Sequence, residues 1–241
     1  MIDHVTIRVA ELEASTEFYA LALGLLDAVE PTVGDDFLEW NDFSIAPADA
    51  GRPRTRRLHL GFQASSRETV TDWWHAMTAA GHPDDGIPGP RPEYGPTYFG
   101  AFVTDPDGNS VEAVHNRPAR DDGTLLDHLW IRVADLAAST RFYEAIAPTV
   151  GYAVERLPDR TRIHGDGASV SVLAGELTES VHLAFSADGT EVVRAFHAAG
   201  VSAGFESLGN PGERPEYHAG YFGAYLADPD GNNIEAVFHD R

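Results

Sequence analysis

The chain repeats itself, and this limits the fold more than any other feature: whatever one copy builds, the molecule builds twice. Residues 3–10, DHVTIRVA, return at 127–134 as DHLWIRVA, and 12–19, LEASTEFY, return at 136–143 as LAASTRFY. RLHLGF at 57–62 answers to SVHLAF at 180–185. The longest match sets RPEYGPTYFGAFVTDPDGNSVEAV at 91–114 against RPEYHAGYFGAYLADPDGNNIEAV at 214–237. The offset is 124 between His4 and His128 and 123 between His59 and His182, a drift of one residue over a whole copy. Order kept on that scale means a duplicated fold unit. Domains are expected at 1–117 and 125–241, joined through the charged, Pro- and Gly-containing stretch 117–124. In 241 residues this gives two domains of ordinary size, commonly about 100–150 residues each.

Each copy mixes two periodicities. Segments such as His4–Val9 alternate polar and apolar residues, the mark of a strand with two different faces. Leu12–Leu23 and Leu136–Ile146 have helical spacing, with Ser15 and Ser139 near their starts. Thr69–Ala80 and Glu191–Ala199 predict a second helix per copy, stopped by Gly81 and Gly200. Asp-Pro-Asp-Gly-Asn at 105–109 and 228–232 suits a type I turn between strands and is assigned a structural role. Each copy reads strand–helix–strands twice, so the chain holds four such units in an α+β fold.

Composition narrows the chemistry. All 17 basic residues are Arg, so lysine Schiff bases and lysine general bases are excluded. Cysteine is absent, which removes thiol nucleophiles, iron–sulfur clusters and disulfides together. A net charge of −21 repels phosphate backbones and anionic membranes, so neither nucleic acid nor a membrane is an expected partner. No apolar run approaches the length of about 20 residues needed to span a bilayer, and nothing near Met1 resembles a signal peptide. A soluble cytoplasmic protein acting on a small molecule is expected, with a homodimer as the expected assembly.

On the first strand Val5, Ile7 and Val9 point one way and His4, Thr6 and Arg8 the other; Leu129, Ile131 and Val133 oppose His128, Trp130 and Arg132 in the second copy. In a half-covered sheet the apolar set packs on helices and the polar set faces a cavity or solvent. His59 and His182 each sit between aliphatic residues, as do Glu112 and Glu235, so they too lie opposite the apolar face. A single strand His is most often a satisfied structural residue. Among 11 His, however, only two pairs coincide between copies, and each has a matched Glu beside it. Two neutral His and one carboxylate with open positions suit Fe(II), Mn(II), Zn(II) or Ni(II). Such a cation can act as a Lewis acid on substrate oxygen.

These residues resemble the vicinal oxygen chelate superfamily, which includes glyoxalase I, bleomycin- and fosfomycin-resistance proteins and extradiol dioxygenases. The resemblance covers about residues 3–117 and 127–239, on the repeated first strand, the HLGF and HLAF segments and the DPDGN turns with their following Glu. It implies four βαβββ modules forming two cups. A divalent metal in each would be held by His4, His59 and Glu112, and by His128, His182 and Glu235. Some relatives exchange modules, which would instead join His4 to His182 and Glu235, and His128 to His59 and Glu112. The shared chemistry is chelation of two adjacent substrate oxygens, which stabilises the anion that forms.

Members differ in detail. Glyoxalase I takes a further Glu from the fourth strand, but Phe43–Ala46 and Ser169–Leu173 contain no acid; Glu176 is the nearest and has no twin. Bleomycin-resistance proteins lack the metal triad. Extradiol dioxygenases carry a His, a Tyr, then Asp-Pro-x-Gly and Glu, and the second copy offers His218, Tyr225, Asp228 and Glu235 at similar spacing. Glu216 and Ala224 depart from that motif, and the first copy has Gly95 and Phe102 in place of His218 and Tyr225. His218 is thus expected as acid/base and Tyr225 as its catalytic partner. Arg91, Tyr94, Tyr98, Arg214, Tyr217 and Tyr221 are expected to bind substrate, unless they pack the loop onto the sheet. The expected function is a metal-dependent enzyme, with ring cleavage as one chemistry. The alternatives are a glyoxalase-like lyase or isomerase, an antibiotic-sequestering protein, or a scaffold stabilised by metal.

Overall fold

Both periodicities become elements in a computed structural model that describes residues 2–34, 36–118 and 123–240; residues 119–122 of the expected linker lie outside the described set. Four βαβββ modules follow one another, as expected. The first is β1 (Ile2–Val9), α1 (Leu12–Gly24), β2 (Thr32–Val33), β3 (Leu38–Trp40) and β4 (Phe43–Pro47). The second is β5 (His59–Gln63), α2 (Arg67–Ala79), β6 (Asp84–Pro90), β7 (Phe99–Thr104) and β8 (Ser110–His115). The third is β9 (Leu126–Val133), α3 (Leu136–Ile146), β10 (Ala153–Arg156), β11 (Arg160–His164) and β12 (Ser169–Ala174). The fourth is β13 (His182–Ser186), α4 (Thr190–Ser202), β14 (Ser207–Glu213), β15 (Tyr221–Ala227) and β16 (Asn233–His239). Among the described residues no helix is long and apolar enough to cross a membrane.

Two compact units form, and their limits fall inside strands. The first unit is Ile7–Leu129; the second is Met1–Thr6 together with Trp130–Arg241. The early halves of β1 and β9 are therefore exchanged between copies. In the second unit the strand order β14-β15-β16-β13 continues onto β1, which pairs antiparallel with β13. In the first unit β6-β7-β8-β5 continues onto β9.

Local chemistry sets the helix ends. Ser66 caps α2 by accepting from the Thr69 amide, and Gly81 ends it at φ +94°, a conformation open to glycine. Asp135 caps α3 by accepting from the Ala137 and Ala138 amides. The expected stop at Gly200 is corrected: α4 runs on to Ser202, and Gly204 at φ +90° follows. Gly200 is buried inside the helix, where a Cβ would collide with the Leu226 side chain of β15. Its sequence signal reflects close helix–sheet packing and not termination.

The Asp-Pro-Asp-Gly-Asn turns serve structure. The Gly108 amide donates to the Asp105 carbonyl across the turn at 3.1 Å. The Asp105 carboxylate accepts from the Asp107 and Asn109 amides, and from the Tyr19 hydroxyl at 2.8 Å. Asn109 Oδ1 accepts from the Leu58 amide, which fixes β8 beside β5. Asp228 and Asn232 repeat the arrangement with the Val181 amide. Each unit has its own aromatic core. Tyr19, Phe43 and Phe62 pack in the first, at ring centroids of 4.8 and 5.2 Å. Phe142 packs on Phe205 in the second, at 4.9 Å.

Candidate metal centres

Strand register brings the three site residues of the second unit together. β1 and β13 pair with His4 beside Ala184, and β13 and β16 pair with Ala184 beside Glu235. His182 lies two residues before Ala184, so it shares that face. Ala184 is small and buried, which leaves room above it for the other three side chains. In the first unit Gly61 takes this place: it pairs with Glu112, and a Cβ on it would strike the His128 ring.

The pairing is the exchanged one. In the second unit His4 Nε2 and His182 Nε2 are 3.2 Å apart, and His182 Nε2 lies 3.0 Å and His4 Nε2 3.9 Å from Glu235 Oε2. In the first unit His59 Nε2 and His128 Nε2 are 3.0 Å apart, at 3.1 and 3.2 Å from Glu112 Oε2. These two triads could each hold a metal ion. A cation with bonds of about 2.0–2.2 Å separates neighbouring ligands by about 3.0–3.4 Å, close to the spacing found.

The surrounding groups suit that use. Nδ1 of His4 faces the Asp3 carboxylate at 2.8 Å, and Nδ1 of His128 faces Asp127 at 3.0 Å. A carboxylate only accepts, so each ring protonates at Nδ1 and can present an Nε2 lone pair to the triad. Ser110 Oγ donates to Asp85 and so accepts from His59 Nδ1 at 3.1 Å. The Asn233 amide lies 2.8 Å from His182 Nδ1, while its Oδ1 is buried without a partner. Turned so that Oδ1 faces the ring, that amide accepts from Nδ1 and frees Nε2 in the same way.

The tyrosines divide between the sites and their rims. Tyr98 donates to Glu112 at 2.8 Å and Tyr221 to Glu235 at 2.8 Å, and both rings are buried. Burial and the adjacent carboxylates push both phenols far above their ordinary range, so they stay protonated donors. Gly100 and Gly223, on the strands facing these glutamates, leave space that a Cβ would take from each carboxylate. Tyr94 and Tyr217 are exposed and pack on Tyr98 and Tyr221, at centroid distances of 5.2 and 4.8 Å. Arg91 lies over the Phe102 ring and Arg214 over the Tyr225 ring, each at 5.4 Å. Their guanidiniums donate to the carbonyls of Ile87 and Asn210, bracing β6 and β14.

The units differ around these triads. The Tyr225 hydroxyl is buried without a hydrogen bond of ordinary geometry, near enough to Glu235 for that charge to raise its pKa beyond the effect of burial. Phe102 is its counterpart and has no hydroxyl. His218 has both ring nitrogens engaged, with the Ala219 carbonyl at 2.8 Å and His239 Nδ1 at 2.9 Å. The His side chains of the second unit's triad are 19% and 20% exposed, against 11% and 8% in the first. The more open site is thus the one with Tyr225 on its own strand β15 and His218 in the loop before it.

Sequence reasoning passed over Asp3, Asp127 and His239. The first two stood in plain view, since Asp-His opens the repeat in both copies. His239 gave no such signal, because its counterpart is Asn116.

A family model described as the Glyoxalase/Bleomycin resistance protein/Dioxygenase superfamily matches residues 1–113 and 125–236. The chain belongs to this superfamily. Glyoxalase I from Zea mays is similar in structure, with a TM-score of 0.69 and 19% identity over 99% of this chain and 92% of its own. A Bacillus subtilis protein provisionally assigned as a dioxygenase has a TM-score of 0.68 and 16% identity, over 100% of this chain and 85% of its own. At such identities the likeness is one of fold. No curated protein matches the chain.

Proposed function

We propose that the chain is a divalent-metal-dependent enzyme of the superfamily acting on a small molecule with neighbouring oxygens, and that the second unit's site carries the reaction. The observation that supports this reading is the meeting of two imidazole nitrogens and one carboxylate oxygen within 3.9 Å in each unit, backed by groups that accept from Nδ1 and so aim Nε2 of each ring at the triad. His4, His182 and Glu235 would hold the ion in the second unit, and His128, His59 and Glu112 in the first. Three ligands from one face leave positions open for substrate, and an ion there would supply Lewis-acid stabilisation to adjacent substrate oxygens.

The protein's own groups do the rest. Tyr221 holds Glu235 in place. Tyr225 offers the second site a phenol beside Glu235 that could donate to substrate, as Phe102 cannot. His218 is the acid/base candidate, acting from the loop before β15. Arg214 and Tyr217 form the rim. The absence of an acid from β4 and β12 disfavours the four-ligand arrangement of glyoxalase I and leaves ring cleavage of a catechol-like substrate as the preferred chemistry.

The test is metal analysis after loading with Fe(II), Mn(II), Zn(II) or Ni(II), followed by turnover assays on catechols and on α-oxo thiol adducts. Glu235→Gln is expected to lower turnover about 100-fold or more by removing the ligand charge. If a chain with both His182 and Glu235 replaced, and free of metal, still bound an antibiotic-like ligand as tightly, sequestration would replace catalysis as the reading.

A further inference from the structure

Behind His4, in the second unit, a chain of hydrogen bonds runs toward the surface. The Asp3 carboxylate accepts from His4 Nδ1 at 2.8 Å and from His239 Nε2 at 3.2 Å. His239 Nδ1 lies 2.9 Å from His218 Nε2, and His218 Nδ1 lies 2.8 Å from the Ala219 carbonyl. The titratable groups facing this pair are Asp3 from β1 and Tyr221 from β15, whose ring is 5.1 and 5.3 Å from the two imidazoles; Asp240 follows in sequence.

Counting hydrogens shows what the chain holds. A carbonyl and a carboxylate have no hydrogen to give, so His218 Nδ1 and His239 Nε2 must both donate. The two nitrogens between them then share a further hydrogen. Two neutral imidazoles carry one N–H each, so the pair as bonded holds one proton in excess. Asp3 is its counter-charge, a carboxylate that accepts from both His239 and His4. Emptied of the extra proton, the pair has two N–H groups for three hydrogen bonds and becomes a base that one returning proton completes.

The first unit has a different arrangement. Asp127 again accepts from its histidine, His128, but its other partners are Asn116 at 3.1 Å and Arg117 at 2.9 Å. A guanidinium gives the same counter-charge permanently and cannot release a proton at any working pH. Gly95 stands where His218 would be.

We propose that His218 and His239 form a proton relay, joined through Asp3 to His4, that serves the second unit's site alone. The inference rests on the metal-site reading above. With a cation held at His4 the stored positive charge would be disfavoured, and His218 and His239 would pass the proton between Nε2 and Nδ1 to water at half-buried His218. No electrons move. The emptied pair can then accept the proton that a substrate hydroxyl gives up. His239 and Asp3 are positioning residues in this scheme.

The test is proton release when Zn(II) alone is added to the full chain near neutral pH, read by calorimetry in buffers of differing ionisation enthalpy. Wild-type protein is expected to release about one proton more per chain than His239→Asn or His218→Asn, with Zn(II) uptake unchanged in both. Equal release in wild type and both variants would overturn the relay and leave the metal sites standing. Failure of the wild type to bind Zn(II) would overturn the metal reading and this inference with it. Should His239→Asn fail to fold, His218→Asn decides, since its side chain is partly exposed in a loop. Imidazole NMR of the wild type gives an independent check: the shared N–H resonance must be present without Zn(II) and disappear with it.

Discussion

Tyr98 and Tyr221 spend their hydroxyls on buried carboxylates, so their removal should act through the metal sites. Tyr221→Phe is expected to weaken Zn(II) binding at the second unit's site about 10–100-fold, as for loss of a group that orients a ligand. Chelator competition would measure this, and an unchanged affinity would mean that Glu235 needs no support. His128 yields a pH prediction for the metal-free chain. Burial alone would lower its pKa, but hydrogen bonds to Asp127 and Glu112 raise it to about 9, from an ordinary 6.5. A raised folded-state pKa adds stability that is fully present below about pH 6.5 and disappears as pH rises through about 9. Urea midpoints of metal-free protein should fall over that interval, and His128→Asn should flatten the fall. At this scale the sequence singled out, by alternation and repetition, the six residues that the fold gathers into two clusters. The hydrogen bonds of Tyr98 and Tyr221 to Glu112 and Glu235 were not legible, because sequence places a phenol on a strand but does not show what its hydroxyl meets.

Helices and strands tell a similar story with a different gap. α3 has the predicted bounds, Leu136–Ile146, because a capping Asp precedes an unbroken periodic stretch. Gly200 misled, since a glycine that ends a helix and one that lets a strand approach look alike in sequence. The packing reading predicts that Gly200→Ala destabilises the second unit. Collision with Leu226 in a fully buried position should cost about 1–3 kcal/mol. The helix-propensity gain of roughly 0.5–1 kcal/mol offsets this only in part. Thermal or urea unfolding would show the loss, and a stabilised variant would return Gly200 to the role of a simple stop. Which strand pairs with which was not legible. β1 meets β13 across nearly 180 residues, and alternation marks faces without naming neighbours.

For the molecule as a whole, the exchanged pairing has a stoichiometric signature. His4→Ala with His182→Ala damages one site and should leave about one Zn(II) per chain, whereas His4→Ala with His59→Ala damages both and should leave none. Metal analysis of the two double variants separates exchanged from direct pairing, which predicts the opposite result. The duplication, the α+β class and the βαβββ order were all legible in the sequence because each is written locally and twice. The exchange was open until the strands were placed, because His4 and His128 occupy the same position in both copies.

That exchange ties the fates of the two copies together. The opening residues of each carry a histidine that completes the other's triad, so splitting the gene at the joining stretch would yield two proteins, each with a histidine belonging to the other. Neither half can be discarded, shuffled into another gene or left to decay without leaving a two-ligand remnant in its sibling. Selection on either triad therefore reaches into both copies.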